Sequence, residues 1–272
     1  MSGIGLFNKG RKYTALSARQ VFAQDKRKPV VYLRSFKDDF STSQTQNVYD
    51  WKTHEEEVAN VMRQIGPFVA VGNPREQLPE LGAARMYLGD HEWQRTVSIL
   101  SSHAQLVVLR AGNTPGLWWE VQMVSKMVKP EHLVFLIPCA KKQYDEFRQN
   151  ANRYFPRPLP EFVGSGNSLL NLLAGDDGSF LKGIVYFEKD WTTHFVPLER
   201  KQSGWNVIDA RRSAAFRSLT NALRPVFNQL QIPLAPVTPP LLTRLVNYFV
   251  VTVLVFALLA VSCYVSAMIS SP

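Results

Sequence analysis

VVLRAGNTPGLWWEVQMV, Val107–Val124, joins an apolar run to a glycine-containing turn and then to a helical pattern. Val107, Val108 and Leu109 are β-formers, and the run ends on a cation, Arg110. Thr114 and Pro115 supply a cap and a first helical residue. Leu117, Val121, Val124 and Val128 then recur at helical spacing, with Glu120 at the edge of that stripe and nearly two turns in. A strand, a turn and a helix in this order are the repeating unit of an α/β protein.

On either side of this stretch the same alternation recurs. PVVYLRSF (from Pro29), FVAVG, AQLVVLR, HLVFLIP and GIVYFEKDW are apolar bursts. Between them THEEEVANVMRQIG has a Thr cap, acids in its first turn and Gly66 as a stop. HEWQRTVSILSSH, PGLWWEVQMVSKMV and KQYDEFRQNANRYF complete the intervening helices, and a long basic helix, DARRSAAFRSLTNALRPVFNQL, follows the last burst. Strands this continuously apolar imply a five-stranded parallel sheet with helices on both faces.

The 272 residues, 46% of them apolar, suffice for one main core and appendages. A net charge of +9 favours anionic partners: phosphate-bearing ligands, nucleic acid or a membrane surface. With only Cys139 and Cys263, neither a disulfide framework nor a cysteine-rich metal site is supported. From Leu245 onward no residue is charged, and the run is longer than the roughly 20 residues that cross a bilayer. One C-terminal transmembrane helix is therefore expected, and Arg244 with the basic body before it keeps the main domain cytoplasmic. The predicted organisation is a basic arm over 1–28, an α/β domain over 29–196, a basic helical extension over 197–230, a proline-rich linker over 231–240 and the span over 241–269.

Ligands of open parallel sheets gather beyond the carboxyl ends of the strands. That rule selects Arg34, Ser35, Phe36 and Lys37 after the first strand, and Arg110 and Gly112 in the turn quoted above. Cations and small residues together suit a phosphate-containing ligand. Arg34 is the most telling, since it interrupts an apolar run. The tryptophans Trp118 and Trp119 should partly desolvate Glu120, raise its pKa and fit it as a base or as an acceptor for a ribose.

With these pieces together, residues 29–190 resemble the TIR (Toll/interleukin receptor homology) superfamily, especially the divergent TIR-like domains of bacterial membrane proteins. VVYLRSFKDD is similar to that family's first strand, which runs into a serine, an aromatic and charged residues. NTPGLWWE is the nearest equivalent of its Ser-x-Trp-Cys-x-x-Glu type motif, whose glutamate is catalytic in members that cleave NAD. It carries no cysteine beside the tryptophan, and Glu120 follows Trp119 directly. The resemblance implies a flavodoxin-like sheet, self-association into a homo-oligomer, and a gating loop at GNPREQLPELGAARMYLGDHEW, with Arg85 and Asp90 available to a ligand. It implies NAD as substrate rather than cofactor, Glu120 as the catalytic carboxylate, Arg34 and Lys37 near phosphates, and Trp119 or Phe36 as a stacking surface. Two functions stay open: a membrane-anchored, NAD-cleaving effector in bacterial defence or stress signalling, and a non-catalytic sensor or scaffold that self-associates at the membrane.

Other chemistries lack their signatures. There is no Walker-type Gly-Lys-Ser/Thr, and Ser101 and Ser102 lack the strained turn of a hydrolase nucleophile. The five histidines are dispersed without zinc-ligand spacing, so no metal is predicted. The basic helix has no interleaved aromatics at groove-reading spacing, so no specific nucleic-acid binding is predicted, and membrane lipid is the expected partner of that surface.

Overall fold

The computed structural model describes residues 17–34, 58–72, 83–87, 92–164, 181–198 and 209–233. All lie in the first of two compact units, Met1–Leu234 and Ala235–Pro272.

Ser17 opens the helix α1 (Ala18–Gln24) with a capping box: its hydroxyl accepts from the Gln20 amide, and the Gln20 side chain accepts from the Ser17 amide at 2.8 Å. Strand β1 (Val30–Leu33) follows, then α2, whose described part is residues 58–65, and β2 (Phe68–Gly72). Next come β3 (Ala84–Tyr87), α3 (Trp93–His103), β4 (Leu106–Arg110), α4 (Pro115–Met127) and β5 (Leu133–Ile137). The chain continues through α5 (Lys141–Ala151), β6 (Gly183–Phe187), β7 (Thr193–Pro197), α6 (Asp209–Ala222) and α7 (Arg224–Gln229).

The strands form one mixed sheet of order β3-β2-β1-β4-β5-β6-β7. The first five in that order are parallel, and β6 and β7 are antiparallel additions. Five parallel strands are thus present, as expected, but Ala84–Tyr87 replaces Gly183–Phe187 as one of them. The reason lies after α5. Tyr144 donates to the Pro160 carbonyl at 2.8 Å and Arg148 to that of Leu159 at 2.7 Å, so residues 159–160 lie alongside α5. The chain re-enters the sheet beside the end of β5, where the Lys182 amide bonds the Ile137 carbonyl. A strand entering there can only run antiparallel.

Side chains of alternate residues divide the core into two layers. Val31, Leu33, Val107, Leu109 and Phe135 pack under α3, α4 and α5. Val30, Tyr32, Val108, Leu136 and Ala70 pack under α2, α6 and α7. From β1 the chain winds outward to β2 and β3, then returns to the other side of β1 as β4. The junction of β1 and β4 is therefore the switch point of a doubly wound sheet.

The long basic helix divides in two at Leu223. Pro225 occupies the first turn of α7, where its missing N–H is tolerated, whereas in a continuous helix it would remove a hydrogen bond. The expected C-terminal span lies outside the described residues. Among the described residues no helix is long and apolar enough to cross a membrane.

Candidate functional site at the switch point

The register between β1 and β4 pairs Leu33 with Leu109. One step further along both strands stand Arg34 and Arg110. Neighbouring strands are about 4.8 Å apart, so the stems of these two arginines rise side by side at the carboxyl edge. They are 3% and 9% exposed, which places both cations inside the molecule.

Alternation assigns them a face. Arg34 follows the series Val30, Tyr32, and Arg110 pairs with Leu136 and follows Val108, so both belong to the layer under α2, α6 and α7. Arg85 pairs with Ala70, which shares that layer, and is also buried. Three of the arginines thus share one face of the sheet. Arg110 further draws down the pKa of Cys139, beyond the end of β5, although burial prevails and pushes that thiol up to about 11.

The turn after Arg110 is tied to the following helix. Trp118 Nε1 donates to Asn113 Oδ1 at 3.3 Å, and Thr114 is the extended N-cap of α4. Gly112 is half-buried in that turn, and the space beside Gly116 is open. The first turn of α4 therefore starts at the edge where the arginines stand, and the amides of Gly116 and Leu117 precede its first intrahelical bond, from the Trp118 N–H to the Thr114 carbonyl.

Glu120 lies elsewhere. Leu117, Glu120, Val121, Met123 and Val124 are the buried residues of α4, and they face the layer opposite to the three arginines. Trp118 stacks on Phe147 of α5, whereas Trp119 meets Trp93 of α3 with ring centroids 4.7 Å apart. On a 100° helical turn Glu120 falls on the α3 side of the stripe. It is 4% exposed, its Oε2 has no hydrogen-bond partner among the described residues, and burial alone raises its pKa well above the ordinary 4.5. Burial thus favours its protonated form over the carboxylate.

The structure accordingly brings together Arg34, Arg110 and Gly112 at one edge, with Arg85 on the same face, and sets Glu120 and Trp119 together on the other. Ser35, Phe36, Lys37 and Asp90 lie outside the described residues. Sequence reasoning does not single out Trp93 or Cys139. Trp93 has a signal, since it opens the series Trp93, Val97, Ser101 at i, i+4, i+8, and Cys139 has its position after an apolar strand. No group of three or more potential metal ligands occurs among the described residues. Comparison with protein-family models, with curated proteins and with solved structures finds no match to this chain.

Proposed function

We propose that this chain is a membrane-anchored, TIR-like protein that binds a phosphate-bearing nucleotide at the carboxyl edge of its sheet. The observation that carries this reading is the register that sets Arg34 beside Arg110 at the switch point, both buried. Guanidinium groups carried side by side on adjacent strands offer planar N–H forks that suit the oxygens of a phosphate, with which they form charge-assisted hydrogen bonds. The turn into α4 adds backbone N–H groups at the same edge. The central order β2-β1-β4-β5 supports the flavodoxin-like reading, with β3 added outside.

Of the two functions, the sensor or scaffold is the better supported, because Glu120 lies on the face opposite to the arginines and is sealed from solvent. The NAD-cleaving reading draws on Glu120 beside Trp119 in the first half of α4, the helix that starts at the ligand edge. One experiment separates them: NAD and ADP titrated into the full chain in detergent micelles, with nicotinamide release followed in parallel. Arg34→Gln and Arg110→Gln should each weaken binding about tenfold, the loss of one charged hydrogen bond. Circular dichroism checks that both variants remain folded. Binding without nicotinamide release identifies a sensor, and release abolished by Glu120→Gln identifies an enzyme. Binding unchanged in both arginine variants overturns the site.

A further inference from the structure

Trp93 Nε1, Ser101 Oγ and Glu120 Oε2 are buried and have no hydrogen-bond partner among the described residues, and all three belong to α3 or α4. Ser101 lies two turns beyond Trp93, about 12 Å along the helix, too far to share a guest with it. Trp93 and Glu120 do belong together. The Trp93 ring packs on Trp119, the residue next to Glu120, and both tryptophans lie against the core layer that α4 covers.

We propose that the seam between α3 and α4 binds an internal water molecule, which accepts from Trp93 Nε1 and bonds Glu120 Oε2. Buried polar groups left without partners are destabilising, and two in one seam mark a polar guest. Their chemistry selects the guest. A cation would leave the indole N–H facing a positive charge, and an anion would be buried with no cationic group beside it. An uncharged hydroxyl oxygen serves both, because it accepts from the indole and either donates to or accepts from the carboxyl. The charged groups on the elements packed around this seam are Glu92 before α3, Arg95 and His103 on it, Arg110 on β4, and Lys141, Asp145 and Arg148 on α5, and the raised pKa of Glu120 has burial as its cause. The site is independent of the nucleotide reading and lies on the other face of the sheet.

The test uses the full chain in detergent micelles, free of nucleotide, with its tryptophan indoles labelled with ¹⁵N. The Trp93 signal is assigned by its disappearance in Trp93→Phe. A cross-peak between the Trp93 indole proton and a long-lived water is expected, retained in Glu120→Gln and falling to noise in Glu120→Met. An indole proton with no water cross-peak in the unmodified chain overturns the proposal, whether or not the variants fold. A cross-peak undiminished in folded Glu120→Met overturns it equally.

Discussion

A carboxyl group enclosed by α3, α4 and the sheet binds its proton more tightly than an exposed one, because the ionised form has lost bulk hydration and found no cation in return. By linkage, the folded state binds the proton of Glu120 more tightly than the unfolded chain does. The contribution to stability is therefore complete below the ordinary value of 4.5 and is lost as pH rises toward the raised folded-state value. The slope within that window is about 1.4 kcal/mol per pH unit. Thermal melts followed by circular dichroism between pH 5 and 8 should show the melting temperature falling with pH, and Glu120→Gln should remove that component of the slope. An unaltered slope in Glu120→Gln would show the carboxyl to be open to bulk solvent. Cys139 yields a second prediction. With its thiol pushed up to about 11, alkylation by iodoacetamide at pH 8 in a Cys263→Ser background should run roughly a hundredfold slower than for an ordinary thiol. Arg110→Gln should slow it further, since the guanidinium favours the thiolate. An unchanged rate would mean that Arg110 does not act on the sulfur.

Among the elements, the link from α2 to β2 is fixed by named contacts. Arg27 donates to the carbonyls of Gln64 at 2.8 Å and Arg63 at 2.9 Å, satisfying the carboxyl end of α2, while Asp25 holds the same guanidinium at 2.7 Å. That clamp brings the Lys28 carbonyl so close to Gly66 that a Cβ there would stand 2.2 Å from it. Gly66→Ala must displace backbone on one side or the other, and should destabilise the domain by about 1–3 kcal/mol in urea unfolding. A smaller loss would show that the segment before β1 shifts freely. The sequence marks Gly66 as a helix stop, yet the partner that forbids a side chain there is 38 residues away and has no local signal. The same distinction separates the strands that were legible from those that were not. Long apolar bursts such as Leu133–Ile137 announce themselves, because a strand buried on both faces leaves no room for a polar residue. Ala84–Tyr87 has four residues including an arginine, and Thr193–Pro197 is half-buried throughout and ends in proline. These are edge strands, defined by the neighbour they join more than by their own composition.

At the scale of the whole molecule the question is which functional groups share a face. Within each strand, alternation is readable: Arg34 must follow Tyr32 and Arg110 must follow Val108. What sequence does not carry is the register that sets those two strands side by side, nor the placement of α4 on the opposite layer, since both depend on contacts between distant segments. The candidate edge was therefore legible as a set of loops, and its division into an arginine face and a Glu120 face was not. The layer holding the arginines is also the one covered by α6 and α7, the helices that lead through Ile232 toward the proline-rich segment and the uncharged C-terminal run. Chain contacts divide the molecule between Leu234 and Ala235, inside the predicted linker. On the membrane-anchored reading, a chain ending at Leu234 should retain the α/β unit while losing its hold on lipid. The measurement is alkaline extraction of membranes from cells making either form: the full chain should stay with the bilayer and the shortened chain should be released, with the same far-UV signature per residue for the α/β unit. Release of both forms would reduce the C-terminal run to something other than a span, and retention of both would move the lipid contact onto the basic surface of the folded unit.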